Sequence, residues 1–84
     1  MTDESVAARI ERLVTEEHEL LQQEQRDRTD TERLDHDHER LEDVRVELDR
    51  CWDLLRQRRA LREAGGDPDD AEVRDANVVE NYRQ

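Results

Sequence analysis

Apolar residues recur at helical spacing in two stretches of the chain, with a polar segment between them. The first stripe consists of Val6, Ile10, Leu13, Val14, Leu20 and Leu21. The chain then stays polar over residues 22–33, and a second stripe follows at Leu34, Leu41, Val44, Leu48, Cys51, Trp52 and Leu55. Apolar positions three, four or seven residues apart lie on one face of an α-helix. The pattern therefore predicts two amphipathic helices.

The residues that start and stop helices set the bounds of the two elements. The first helix can begin after Thr2 or Asp3, and we expect it to span about residues 4–27. Thr29 and Glu32 have the spacing of a capping box, which places the second helix at about residues 31–64. A pair of glycines at positions 65 and 66 then ends it.

Two arrangements of these helices fit the heptad spacing of one set of apolar residues: Val6, Leu13, Leu20, Leu34, Leu41, Leu48 and Leu55. A parallel coiled coil of one long helix would place Glu17 against Glu17 and Arg45 against Arg45. A chain that folds back near Asp30 instead pairs residues whose numbers sum to about 61, which sets Glu17 beside Arg45 and Glu24 beside His38. We therefore favour an all-α antiparallel two-helix hairpin over residues 1–64, with the parallel dimer as the alternative.

Apolar residues beside the seam of this hairpin favour self-association. Val14 and Leu21 on the first helix, and Val44 and Cys51 on the second, widen the apolar stripe beyond what one partner helix covers. Only 32% of the residues are apolar and there is a single cysteine, so no intramolecular disulfide can supplement a thin core. We expect a homodimer in which two hairpins form a four-helix bundle.

Residues 65–84 form a C-terminal tail with a possible short helix. Asp67 precedes Pro68 and two further acids, which is the sequence of a helix start. The short helix can extend as far as Val73. Beyond it, the apolar residues at positions 78, 79 and 82 can fold back onto Leu54 and Leu61, and a frayed tail is the alternative.

Charge limits the classes of partner. A net charge of −11 argues against non-specific binding to nucleic acid, although Arg56, Arg58, Arg59 and Arg62 give residues 51–64 a local positive excess. No apolar run exceeds three residues, so the sequence predicts neither a signal peptide nor a membrane span. A lone cysteine without an export signal predicts a cytoplasmic location.

Catalysis is not expected. Cys51 is the only thiol, and in the hairpin register no histidine comes within reach to act as its base. We interpret it as a small buried apolar side chain. There is no glycine-rich phosphate loop and a single serine, and no cofactor is expected. These observations predict that the protein is not an enzyme.

Metal binding is the first alternative function. Asp35 and His38 have the i, i+3 spacing of metal-binding helical bundles, and the hairpin brings Glu24 and Asp27 to the same end. These four residues could surround one ion. A solvated charged face near a turn is the competing interpretation, and we favour it.

Partner binding is the function that we favour. The candidate residues lie in the second half of the second helix: Trp52, Leu54, Arg58, Arg59, Leu61 and Arg62. Trp52 is interpreted first as a core anchor beside Ile10 and second as an interface residue. The arginines either pair with acids within the assembly or bind an acidic protein or RNA, which makes a nucleic-acid accessory protein the second alternative. The sequence thus predicts a non-enzymatic interaction or structural module.

One continuous segment also carries a family resemblance: Val46-Glu47-Leu48-Asp49-Arg50-Cys51-Trp52-Asp53-Leu54-Leu55-Arg56-Gln57-Arg58-Arg59. It is similar to the hallmark of an actinobacterial group, domain-of-unknown-function family 2630. Asp67-Pro68-Asp69 and Val78-Val79-Glu80-x-Tyr82 resemble the tail of the same family. The resemblance implies a helical, cytoplasmic protein and assigns no activity and no catalytic residue.

Overall fold

The computed structural model describes residues 2–75, together with Asn77 and Val79. Within these residues, helix α1 spans Asp3–Arg26, helix α2 spans Thr31–Glu63 and a short 3₁₀ helix spans Pro68–Asp70. The two long helices pack against each other along their length. This confirms the all-α antiparallel hairpin, because the chain reverses between them instead of continuing as one long helix.

Side-chain and backbone hydrogen bonds close the helix ends. At the start of α1, the Ser5 amide donates to Thr2 Oγ1 at 3.1 Å and the Thr2 amide donates to Ser5 Oγ at 3.0 Å. Helix α2 is capped by Asp30, whose Oδ1 accepts the Arg33 amide at 3.1 Å. The predicted Thr29–Glu32 capping box is therefore wrong by one residue, since Thr29 lies within the turn.

The predicted end of α2 is confirmed at the glycine pair. Gly65 has a φ of +81°, which only glycine adopts without strain. Its amide donates to the Arg62 carbonyl at 3.2 Å, and the Gly66 amide donates to the Leu61 carbonyl at 2.7 Å. These two bonds are those of a Schellman motif, which satisfies the last carbonyls of the helix and turns the chain back.

Polar side-chain pairs across the seam agree with the register of the hairpin. Arg45 Nε lies 3.2 Å from Glu17 Oε2, and His38 Nε2 lies 2.9 Å from Glu24 Oε1. Both pairs were predicted by the fold-back near Asp30. Two further pairs on another flank also link the helices: Arg9–Glu47 at 3.0 Å and Arg40–Glu16, whose Nε–Oε1 distance is 2.8 Å.

The core runs along this seam and is closed further by the tail. Its buried members are Val6, Ile10, Leu20, Leu41, Val44, Leu48, Cys51 and Leu54. Leu13, Val14, Leu55 and Ala71 pack against them.

The apolar face expected to drive dimerisation is largely closed within one chain. Val44 is 1% exposed and Cys51 is 6% exposed, and Val14 is half-buried. Leu21, at 38% exposure, is the one member of the four that remains open. The expectation that all four stay uncovered is therefore wrong, because α1 and α2 enclose the seam and the tail adds further cover.

The tail is docked over the part of it that the structure describes. Asp67 caps the 3₁₀ helix by accepting the Asp69 amide at 2.9 Å, and the helix ends at Asp70 rather than reaching Val73. Val79 is fully buried. The predicted contacts of the apolar residues at positions 78 and 82 lie outside the described residues.

Candidate functional site

A buried carboxylate on α2 holds the tail in place. Asp53 is fully buried, and the Arg74 guanidinium donates to both of its oxygens, with an Nε–Oδ2 distance of 2.8 Å. Gln57 Nε2 donates to Asp53 Oδ2 at 3.0 Å. These donors, Arg74 first, lower the pKa of Asp53 although burial opposes them. Asp53 therefore stays ionised and serves as the anchor of the tail.

Two further side chains of α2 bind the backbone of the tail. Gln57 Nε2 donates to the Glu72 carbonyl at 2.6 Å, and Gln57 Oε1 accepts the Glu72 amide at 3.4 Å. Arg50 Nε donates to the Arg74 carbonyl at 3.0 Å. The tail is thus fixed along one flank of α2 by hydrogen bonds that satisfy its own backbone groups.

Arg58 joins three elements of the fold. Its Nε donates to Asp3 Oδ1 at 2.6 Å, and its Nη1 donates to Asp69 Oδ1 at 3.0 Å and to the Pro68 carbonyl at 3.2 Å. Arg62 Nη2 donates to the second oxygen of Asp3 at 2.6 Å. The hydrogen bond from Arg58, reinforced by that from Arg62, lowers the pKa of Asp3.

This geometry divides the predicted partner-binding set. Leu54 is 3% exposed and belongs to the core, and Arg58 is 6% exposed and binds groups of its own chain. Leu61 is half-buried and packs against the Gly66 turn, where its Cδ2 lies 3.3 Å from the position that a Cβ would occupy. Trp52, Arg59 and Arg62 are the members of the set that are exposed.

Trp52 lies on the flank of α2 opposite to the tail. A helix rotates about 100° per residue, so Trp52 turns away from the seam that Cys51 occupies and away from Asp53 and Gln57, which bind the tail. Its side chain is 47% exposed. The interpretation of Trp52 as a core anchor beside Ile10 is therefore wrong, since Cys51 takes the seam position.

We call the stripe of residues around Trp52 the outer flank of α2. Its members are Arg45, Asp49, Trp52, Arg56, Arg59 and Glu63. Trp52 separates two shallow grooves on this surface. One is lined by Glu17, Arg45 and Leu48, and the other by Leu55, Arg56 and Arg59. The first groove also contains the carboxylates of Glu42 and Asp49. An aromatic ring between a mostly acidic groove and a groove with two guanidinium groups suits the binding of a protein surface.

The proposed metal ligands do not come together as a set. His38 pairs with Glu24, and Asp35 is exposed. Asp27 instead contacts Asp37, a residue that the sequence interpretation left out. Within residues 2–75, no three side chains of His, Cys, Asp or Glu are grouped to hold a metal ion.

Asp37 is the unusual carboxyl at this end of the hairpin. It is 6% exposed, and its Oδ2 is buried without a donor among the described residues. The pKa of Asp37 is raised by the hydrogen bond shared with Asp27, by burial, and by the negative charge of Asp27. Asp37 lies one heptad before Val44, and this spacing is the sequence signal that could have indicated its position facing α1.

The tail anchor is what sequence reasoning missed. Asp53 and Gln57 are four residues apart on α2, but Arg74 lies 21 residues from Asp53 and meets it only after the chain turns at the glycines. A bond between such distant residues has no local sequence signal.

Comparison with known proteins adds a family without an assigned activity. A family model described as "Protein of unknown function (DUF2630)" matches residues 2–84. Uncharacterised proteins of Mycobacterium bovis and Mycobacterium tuberculosis are 61% identical to the chain over 44 residues, which cover 52% of this chain. The match spans 51% of each relative, so the chain covers about half the length of the curated relatives it matches. No solved structure matches the chain significantly. In the described part of the chain, neither helix combines the length and apolar character needed to cross a membrane.

Proposed function

The chain belongs to the DUF2630 family of proteins of unknown function, and we propose that it is a non-enzymatic interaction module that self-associates through the outer flank of α2. The hairpin and its bound tail act as a rigid support in this proposal. The binding element is the exposed stripe around Trp52. We also propose a cytoplasmic location, where Cys51 stays a reduced thiol.

The exposure of Trp52 is the observation that carries this proposal. A tryptophan buries roughly 150–250 Å² when it is enclosed, and a chain with so few apolar residues leaves this ring 47% exposed. Tryptophan is the residue type most enriched among those that dominate binding energy. It stands on a regular helix whose opposite flank is fixed by the tail, so binding requires little ordering of the backbone.

The charge along α2 supports a second copy as the partner. Residues 51–63 carry four arginines against Asp53 and Glu63, whereas residues 31–50 carry eight acids against four arginines. An antiparallel encounter of two α2 helices brings the basic end of each copy to the acidic part of the other. Each copy carries a net charge of −11, so this attraction is confined to the facing stretches of α2.

The solution mass tests this proposal, measured by light scattering coupled to size-exclusion chromatography. We expect the wild-type protein to be a dimer and Trp52→Ala to be a monomer with unchanged helicity by circular dichroism. Val73→Ala is the matched control, since Val73 is equally exposed at 47% but belongs to the tail. A monomeric wild-type protein at concentrations near a millimolar, or a Trp52→Ala dimer, would contradict the proposal.

The solution mass in a chelator and an RNA-binding assay test the two alternative functions. Loss of the dimer in a chelator would favour the metal-binding bundle, with His38→Ala as the variant that should reproduce the loss. Salt-sensitive RNA binding that disappears in Arg59→Ala would favour the nucleic-acid accessory protein. Three arginines that could bind RNA already pair within the chain: Arg58 and Arg62 with Asp3, and Arg59 with Glu63 at 3.0 Å. This pairing counts against the nucleic-acid alternative.

A further inference from the structure

The outer flank of α2 has a regular spacing. Arg45, Asp49, Trp52, Arg56, Arg59 and Glu63 follow one another at alternating steps of four and three residues. This spacing keeps all six on a single stripe of a helix. The stripe runs for about 27 Å, at 1.5 Å per residue.

The stripe is complementary to itself when it is read in the reverse direction. Residues whose numbers sum to 108 form three pairs: Arg45 with Glu63, Asp49 with Arg59, and Trp52 with Arg56. Two of these pairs join opposite charges, and the third sets a guanidinium against an indole ring, which attract each other. A parallel arrangement would set each residue against its own copy and so oppose like charges.

Building on the self-association proposed above, we infer that two copies dock antiparallel through this stripe, about a two-fold axis level with Leu54. In a two-fold interface, each contact is made twice. If residue i of one copy contacts residue j of the other, then residue j of the first copy contacts residue i of the second. Each of the three pairs therefore occurs twice. The two Trp52 rings lie beside the axis, each covered by Arg56 of the other copy.

The contacts within one chain are compatible with this docking, in which Arg56, 44% exposed, also keeps its pair with Asp53 at 3.5 Å. Arg45 bonds Glu17 through Nε, and Arg59 bonds Glu63 through Nε at 3.0 Å. A guanidinium has five N–H donors, so the Nη groups of both arginines can reach a carboxylate of the second copy. The side chains of Arg45, Arg59 and Glu63 are 51%, 78% and 66% exposed, so the pairing does not require unfolding.

The narrow, charged character of the stripe predicts a weak dimer. A single helix stripe buries less area than the roughly 1,200 Å² of a stable interface. Its charge pairs are screened by salt at physiological ionic strength. We therefore expect a high protein concentration to be needed to maintain the dimer.

Charge reversal at positions 45 and 63 tests the docking. Arg45→Glu and Glu63→Arg each place like charges against each other twice in a dimer, and we expect each variant alone to weaken dimerisation by at least about tenfold. Mixing the two variants in equal amounts allows a heterodimer to form. In it, the introduced charges at positions 45 and 63 face each other in one pair, and the original Arg45 and Glu63 face each other in the second pair. Both pairs join opposite charges and are attractive. A heterodimer should therefore form with an affinity near that of the wild-type homodimer. Sedimentation equilibrium of each variant and of the mixture measures this.

The mixture of the two variants distinguishes antiparallel docking from the self-association on which this docking rests. Positions 45 and 63 are about 27 Å apart on one helix, so recovery in the mixture can arise only between copies. Single variants that dimerise like the wild-type protein, or a mixture that stays monomeric, would overturn the antiparallel docking while leaving a Trp52-dependent dimer intact. If the wild-type protein is itself monomeric, the self-association fails and this docking fails with it.

Discussion

Three individual residues of this protein have surroundings that differ from those expected of their type. Trp52 is exposed, Asp53 is fully buried with its charge, and Asp37 is buried beside Asp27. The Arg74 guanidinium and the Gln57 amide bind the Asp53 carboxylate and lower its pKa. Asp37 meets a second carboxyl and has a raised pKa. At neutral pH the charge of Asp53 stabilises the fold and the charge of Asp37 opposes it.

Replacement of Asp37 by asparagine tests this contrast. The pKa of Asp37 is raised in the folded state, so its protonated form stabilises the fold in full below the pKa of the unfolded state, near 3.8. This stabilisation is lost as the pH rises through the pKa of the folded state. The asparagine side chain stays neutral and its amide can donate to Asp27. We therefore expect Asp37→Asn to raise the free energy of unfolding in urea at pH 7, with the gain shrinking as pH falls toward 4.

The control for this substitution is Asp35→Asn, at an exposed position two residues earlier on the same helix. It should change the free energy of unfolding little at either pH. A gain from Asp37→Asn that is the same at pH 4 and pH 7 would show that removal of the charge is not the cause. Measurements stop at pH 4 because protonation of Asp3 and Asp53, whose pKa values are lowered, removes their stabilisation as pH falls further.

At the scale of the elements, α2 is the helix on which the rest of the fold is assembled. One side of it packs on α1, one flank binds the tail and the other flank is open. Arg58 links all of the bound elements, since it contacts the first turn of α1 and the 3₁₀ helix together. The start of α1 and the 3₁₀ helix of the tail are therefore joined through one side chain, Arg58.

Substitution of Arg58 by lysine should loosen both elements together. Lysine keeps the charge but lacks the planar fork that binds Asp3, Asp69 and the Pro68 carbonyl at once. We expect hydrogen exchange to accelerate at least about tenfold in the first turn of α1 and in residues 71–75, while the middle of α2 stays protected. Arg59→Lys, which alters an exposed pair with Glu63, should leave both regions unchanged. Faster exchange confined to only one of the two elements would show that Arg58 does not couple them.

At the scale of the whole molecule, the hairpin is an elongated body of 54 × 25 × 16 Å. The docking axis lies level with Leu54, whereas the middle of α2 lies near Glu47. Two antiparallel copies are therefore displaced along their length by about 21 Å, from roughly 14 residues at 1.5 Å each. The dimer that this docking produces is staggered.

Small-angle X-ray scattering measures that stagger. We expect the maximum dimension of the dimer to exceed that of one hairpin by about 21 Å, because the displacement adds to the length of one copy. The Trp52→Ala variant, measured at equal concentration, supplies the monomer reference. A dimer as short as the monomer would indicate hairpins aligned in a compact four-helix bundle and would exclude the staggered docking.

The sequence by itself determined where the helices lie and, for a chain that folds back near Asp30, their register. Two apolar stripes, a polar break and a glycine pair specify where each helix lies, because these signals act within a few residues of one another. The Glu17–Arg45 and Glu24–His38 pairs followed from the fold-back alone, since one turn position fixes every opposing pair along two straight helices.

The tertiary structure alone decided which side chains are buried and which are left open. The tail returns to α2 through Asp53 and Arg74, 21 residues apart, and so helps to cover a face that the helix pattern had assigned to a partner. Cys51 took the seam and left Trp52 outside, although both belong to the same apolar stripe. The burial of a side chain depends on all of its contacts, including those with distant segments of the chain. The local periodicity of apolar residues does not specify these distant contacts.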